Sequence, residues 1–226
     1  MRIVKLINEK IQTDRLIVFD VGANEGDYSL SLIANLSTSR PLCIHAFEPV
    51  KKTFEIYVNK LSPASPLVKC NNFGLGDKEE KVQIYKFAET TGISSMYGNN
   101  LFSSSSTESI SLKTLDGYCE TCQISEIDFL KIDVEGHDYH VLLGAKKMID
   151  SESIKVIQFE FGSININSRT YFRDFYNLLS QKYNLYRIVP HGILPVKVYS
   201  YKLEVFGVVT NYLAILKSVD WNTRVN

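Results

Sequence analysis

The sequence is poor in cysteine, has a single tryptophan and carries no excess of either charge. Of its four cysteines, only Cys119 and Cys122 form a closely spaced pair. A structural zinc centre takes four ligands and usually shows a second such pair, which is missing. Cys43 and Cys70 lie in apolar, strand-like runs and are expected to be small buried side chains. Cys119 and Cys122 follow a Leu-Asp-Gly turn and are expected to be reduced thiols on a surface segment. Lysine plus arginine equals aspartate plus glutamate at 25 each, so net charge gives no argument for nucleic acid or an anionic membrane. Long apolar runs are lacking too, and none approaches the roughly 20 residues of a membrane span. Residues 1–13 place Ile3, Val4, Leu6, Ile7 and Ile11 at helical spacing between charges, unlike the continuous apolar stretch of a signal peptide. A cytoplasmic location is therefore expected.

A chain of 226 residues, 45% hydrophobic and 22% charged, is expected to form one globular domain: a helix over 1–14 and a core over 15–217. Apolar runs ending in an acid alternate with segments of helical period. Leu16–Asp20, Pro41–Glu48, Leu67–Phe73, Ile127–Val134 and Ile154–Phe161 read as buried strands. Tyr28–Leu36, Lys51–Leu61, His140–Ile149 and Tyr171–Lys182 read as helices. Lys81–Phe87 alternates polar and apolar residues and reads as a half-exposed strand. Thr90–Ser109, rich in Ser, Gly and Asn, reads as a loop that is either a lid or disordered. Strands are also expected at Leu185–Val189, Leu203–Val209 and Tyr212–Leu216. This order predicts an α/β, doubly wound, mostly parallel seven-stranded sheet with an antiparallel C-terminal edge. Such sheets bind ligands beyond the carboxyl ends of their strands, at the switch point.

The residues at those ends carry the chemistry. Gly22 and Gly26 surround a polar turn after the first strand, where a Cβ would keep a ligand from the backbone. The dinucleotide pattern Gly-x-Gly-x-x-Gly is absent. The spacing is Gly-x-x-x-Gly, and Asp20 precedes it, where an acid would repel a pyrophosphate. An acid there suits the ammonium of an amino acid. Glu48 follows Gly26 by 22 residues, the place of an acid that accepts hydrogen bonds from ribose hydroxyls. Its plainer reading is a helix cap before Pro49. A nucleoside joined to an amino acid, as in S-adenosylmethionine, satisfies both acids.

Four stretches, Val-Phe-Asp-Val-Gly-Ala-Asn-Glu-Gly, His-Ala-Phe-Glu-Pro, Ser-Leu-Lys-Thr-Leu-Asp and Asp-Phe-Leu-Lys-Ile-Asp-Val-Glu-Gly-His, resemble the FkbM-type methyltransferases in residues and in order. The resemblance covers about residues 16–162, with an echo at Asn211-Tyr212. It implies a Rossmann-like fold and S-adenosylmethionine as cofactor, with S-adenosylhomocysteine as product. It also implies transfer to a hydroxyl of a small molecule, such as a sugar, a sugar nucleotide or a natural product. On this reading Asp20, Gly22, Asn24 and Gly26, with the intervening Ala23, border the methionine part. Glu48, with Pro49 beside it, holds the ribose. Asn72 follows the third strand, where adenine contacts arise, and Asp133 and Glu135 flank the methyl group. The residue after Gly136 is often small in the family, and here it is His137.

An alcohol must lose its proton during attack, or a metal must stabilise the alkoxide. His137 or Glu135 is the candidate general base, with Asp133 beside them. His137 as a simple helix cap is the plainer alternative. Asp133, Glu135 and Glu160 are the candidate oxygen ligands of a divalent ion, which is not the favoured mechanism. Ser95, in Gly92-Ile93-Ser94-Ser95, is expected to close over cofactor or substrate. The expected function is O-methylation of a sugar or glycan precursor, and methylation of a natural-product hydroxyl or an amine and an NAD-dependent oxidoreductase are the competing functions. No nucleic-acid partner is expected, and homo-oligomerisation is left open.

Overall fold

The computed structural model describes residues 2–36, 40–87, 94–97 and 104–221. Its centre is an eight-stranded sheet. Five strands run parallel: β3 (Val68–Asn71), β2 (Leu42–Phe47), β1 (Leu16–Val21), β8 (Ile127–Ile132) and β9 (Ile154–Phe161). Beyond β9, β12 (Thr210–Leu216), β10 (Tyr183–Val189) and β11 (Gly192–Val196) complete an antiparallel edge. Helices α1 (Arg2–Lys10), α2 (Asp27–Leu36), α3 (Lys51–Leu61), α4 (Leu115–Cys122), α5 (Asp138–Leu143), α6 (Lys146–Asp150), α7 (Asn165–Ser168) and α8 (Phe172–Leu179) connect the strands. Two apolar clusters divide the sheet's faces. One is centred on Phe19, Leu130, Phe159 and Phe175, the other on Val18, Leu32, Phe129 and Leu213. Neighbouring residues of one strand belong to opposite clusters, as alternating side chains require. The parallel strands are covered on both faces, so all six residues of β8 are buried.

The strand order turns back between β1 and β8, which places the switch point there. The expected sheet is present with one strand more than the seven foreseen. The extra strand, β11, folds back on β10 and lies at the edge, where its Pro195 costs no ladder hydrogen bond. Residues 203–209 form no strand. A 3-10 turn at Tyr201–Leu203 leads into an irregular segment whose Leu203 and Phe206 pack on the core. The helix expected over His140–Ile149 starts earlier and breaks at Gly144-Ala145 into α5 and α6.

A second sheet, in the order β4–β7–β5–β6, is inserted between β3 and β8. It holds β4 (Gly74–Leu75), β5 (Glu80–Phe87), β6 (Ser94–Ser95) and β7 (Ser104–Lys113). The serine-rich stretch read as loop is therefore strand from Ser104 onward, paired antiparallel to β5 with Val82 opposite Ile110. Backbone pairing and one apolar face override the weak strand preference of serine. Residues 90–93 and 98–103 of that stretch lie outside the described residues.

The expected Leu-Asp-Gly turn is the first turn of α4, which carries Cys119 and Cys122. Thr114 starts that helix by accepting the Gly117 N–H. Cys119 is buried, its thiol pushed up to about 12 by burial, while Cys122 accepts a hydrogen bond from Lys69 at 3.2 Å. All four thiols are free, and Cys43 and Cys70 are half-buried instead of fully so.

Candidate functional site

The carboxyl ends of β1, β2 and β8 open onto a cavity of about 500 Å³. The turn after β1 and the end of β2 form one wall, through Gly22, Ala23, Asn24, Glu48 and Pro49. The turn after β8 forms the other, through Asp133, Glu135 and His137. The second sheet roofs it with Ile84, Ile110 and Leu112, and Met96 adds to this apolar lid.

Glu48 is held by backbone. Its Oε2 accepts the Asn24 N–H at 3.1 Å and its Oε1 accepts the Val50 N–H at 2.9 Å. Each oxygen keeps a lone pair for a further donor. Burial pushes the carboxyl up to about 7, against the opposing pull of the two N–H groups. The second of those bonds reaches the N–H of Val50, the N-cap of α3, so Glu48 stands two residues before the helix instead of capping it itself, and it lines the cavity.

Gly22 has φ +79°, and a Cβ there would lie 1.9 Å from the Asp133 carbonyl oxygen. Gly26, at φ +91°, would put its Cβ 2.5 Å from Leu61 Cδ2. Both glycines thus make room for the protein itself, where the sequence suggested room for a ligand. Gly22 still lines the cavity, and Gly26 does not.

Asp20 departs most from its expected place. It is fully buried and is not among the lining residues. Its Oδ2 accepts the Ser29 hydroxyl at 2.7 Å, and its Oδ1 lies 3.3 Å from Lys131 Nζ. Register sets this pair, because Asp20 and Lys131 stand opposite each other on β1 and β8. Lys131 also lies 3.3 Å from Asp133 and 4.7 Å from the centre of the Tyr28 ring. Burial works against the ammonium, but Asp20 and Asp133 hold its pKa well above the ordinary lysine value. The acid that faces the cavity beside this pair is Asp133. Lys131 was missed in the sequence. The available signal was a charged residue inside the otherwise apolar run Ile127–Ile132, two residues from Asp133 and so on the same face.

The turn after β8 is tight. Glu135 takes φ +53°, outside the usual range for a side chain with a Cβ. Its carboxylate is pushed up to about 7 by burial, then by Asp133 and Glu160, and it bears no hydrogen bond among the described residues. His137 stands at the N-cap of α5 without a side-chain capping bond. Its Nδ1 lies 2.8 Å from the Tyr97 hydroxyl, and burial pulls it down to about 3. Ser95 Oγ donates to the Glu135 carbonyl at 3.1 Å. Segment 94–97 is thus fastened to the turn at two points, although Ser95 itself is not a lining residue.

Asn72 lies outside the cavity, where its amide donates to the carbonyls of Glu48 and Pro49 at 3.0 and 3.2 Å. Glu160 does not line it either. Its Oε1 accepts from Asn211, whose amide oxygen accepts from Gln158. The carboxylates of Asp133, Glu135 and Glu160 do not converge as a metal set among the described residues.

Residues 20–188 match the family model of the Methyltransferase FkbM domain. The hexuronic acid methyltransferase AglP of Haloferax volcanii is 23% identical over 162 residues, covering 71% of this chain and 62% of that protein. The crystal structure of Methyltransferase FkbM from Methylobacillus flagellatus KT gives a TM-score of 0.56 at 14% identity, over 90% of this chain and 44% of that one. SMU.1697c of Streptococcus mutans, assigned as a methyltransferase and solved in complex with SAH, gives 0.52 at 8% identity, over 95% and 96% of the two chains. The chain therefore spans less than two thirds of AglP and of the Methylobacillus protein. At such identities the structural likenesses establish the fold as that of the Rossmann-like methyltransferases. The sequence match over most of its length settles the family: the chain belongs to the FkbM methyltransferases.

Proposed function

We propose that the chain is an S-adenosylmethionine-dependent O-methyltransferase whose acceptor is a hydroxyl of a sugar or glycan precursor. One observation carries the reading. Glu48, fixed by two backbone N–H groups, faces Asp133 and Glu135 across a cavity of about 500 Å³ beneath an apolar roof. This donor set fits a nucleoside with an amino-acid tail. Glu48 would accept from the ribose, Val50, Ile84, Ile110 and Leu112 would cover the adenine, and Asp133 would face the ammonium. Asp20 supports that arrangement from behind, through Lys131. The name of the Haloferax relative supports a sugar acceptor, and the SAH complex of the Streptococcus protein supports the cofactor.

When bound, the cofactor supplies an electrophilic methyl group. The protein's part is to align the acceptor oxygen and remove its proton. Glu135 is the base of this proposal. It lines the cavity, bears no hydrogen bond among the described residues and is raised to about 7, so its ionised carboxylate takes the hydroxyl proton at an Oε atom. His137 is the weaker candidate, since burial leaves its ring far less basic and Tyr97 occupies its Nδ1.

The test is a screen of sugar nucleotides and free sugars with labelled S-adenosylmethionine. Glu135→Gln should lower turnover about a hundredfold while S-adenosylhomocysteine affinity stays within about twofold. Absence of transfer to every sugar, together with transfer to an amine, would overturn the acceptor assignment. Calorimetric binding of NAD in place of S-adenosylhomocysteine would overturn the cofactor.

A further inference from the structure

Beside the turn after β8 is a group of side chains that the methyl-transfer reading does not use. Asp77, His137 and His140 each offer one donor atom, and the three atoms lie within 4.8 Å of one another. His137 is 8% exposed, and its Nε2 is buried without a hydrogen bond. The Nδ1 of His140 is also buried without a hydrogen bond, with the Asp77 carboxylate 3.4 Å away. Two buried ring nitrogens three residues apart, neither hydrogen-bonded among the described residues, are costly unless something binds them.

The backbone leaves space at this point. Gly76 stands over His137, and a Cβ there would lie 3.0 Å from Nε2. Its N–H is anchored to the Lys113 carbonyl at 2.9 Å, which fixes the turn that carries Asp77. A histidine that ligates a metal through one nitrogen usually has its other nitrogen fixed by a hydrogen bond. His137 shows that pattern: the Tyr97 hydroxyl holds Nδ1 at 2.8 Å and leaves Nε2 free.

We infer that Asp77, His137 and His140 form a binding site for a first-row transition-metal dication such as Zn²⁺. Two imidazoles and one carboxylate are the donors these ions prefer, while Mg²⁺ and Ca²⁺ favour all-oxygen sets. The two rings now stack 4.5 Å apart and nearly parallel, at 9°. Lone pairs lie in the ring planes, so binding one ion turns a ring out of that stack. The His140 side chain, 30% exposed, has room to turn. Three protein ligands leave a coordination position open, as in catalytic zinc sites. His137 also lines the cavity, so the site adjoins the acceptor space. An ion there lowers the pKa of an oxygen that binds it. The inference does not depend on the identity of the acceptor or on the role of Glu135.

The experiment uses the full chain stripped with a chelator and titrated with Co²⁺, whose visible absorption reports its ligands, then with Zn²⁺ in competition. One equivalent should bind without the near-ultraviolet charge-transfer bands of thiolate ligation. Asp77→Asn and His140→Ala should each weaken binding by about tenfold or more. Cys122→Ser should leave it unchanged. Asp77 is exposed, so its variant separates lost ligation from lost folding. S-adenosylhomocysteine binding by the same samples reports the cofactor site separately. Absence of saturable binding, affinity unchanged in both site variants, or thiolate bands lost in Cys122→Ser would overturn the proposal.

Discussion

At the scale of single residues, Lys131 organises the site from the cavity's floor, almost wholly buried. It is 5% exposed and pairs with Asp20, which is 0% exposed. Lys131→Met should leave an unpaired carboxylate in the core and cost about 3–5 kcal/mol in urea unfolding, with Asp20→Asn in the same chain recovering much of the loss. A cost below about 1 kcal/mol would show that Asp20 is not held as an ion. Glu48 gives a prediction in pH. Its folded pKa is raised to about 7, so the folded state holds a proton that the unfolded chain has released above its ordinary carboxyl pKa. Glu48 therefore withdraws stability as pH rises from near 4.5 through 7, because the unfolded chain binds fewer protons across that window. The same rise ionises the carboxylate that the proposed ribose contact needs. S-adenosylhomocysteine affinity should increase from pH 6 to pH 8, and calorimetry on Glu48→Gln should show that increase abolished. In the sequence, Glu48, Asp133 and Glu135 could be placed because each ends or follows an apolar run. Asp20 was misplaced by the same rule: it is the fifth of six residues in β1, and its carboxylate is taken up by Lys131 and Ser29 beneath the cavity. Spacing gives the position along a strand but not which partner a buried charge meets.

At the scale of elements, segment 94–97 is the part most open to test. It is joined to the turn after β8 through Ser95 Oγ to the Glu135 carbonyl and through Tyr97 to His137. Removing both bonds in Ser95→Ala/Tyr97→Phe should speed amide exchange across 94–97 about tenfold or more, while the amides of β8 stay protected. Equal exchange in both proteins would mean that β6 pairing alone holds the segment. The parallel strands were legible because burial on both faces leaves unbroken apolar runs with an acid at the end. Strand β7 was not. Its first four residues are serine and threonine, and only the partner strand β5 gives that stretch a reason to extend. Strand β11 was hidden for a related reason, since Pro195 and Gly192 read as turn residues until an edge position is known, whereas its partner β10 was expected.

At the scale of the molecule, the proposed cofactor should act as a clamp between the turn after β1, the end of β2 and the turn after β8. A ligand at 100 times its Kd adds about 2.7 kcal/mol to stability. For a domain of this size that is a rise of roughly 5–10 °C in melting temperature. S-adenosylhomocysteine should produce it and NAD should not, as followed by scanning calorimetry. The alternation of strand and helix made the doubly wound sheet legible, since that pattern admits few architectures. The second sheet was not legible as a sheet, because two of its strands have only two residues each.

Among the described residues that second sheet shares no hydrogen-bond ladder with the first, and the apolar cluster of Val50, Ile84, Ile110 and Leu112 is separate from the two that cover the main sheet. A substitution at Ile84 or Ile110 that widens the roof should therefore be absorbed locally, with the strands beneath keeping their register. That latitude belongs to the apolar faces of Ile84, Ile110 and Leu112 and not to the whole insert, since Leu75 packs into the main core and Asp77 meets His140.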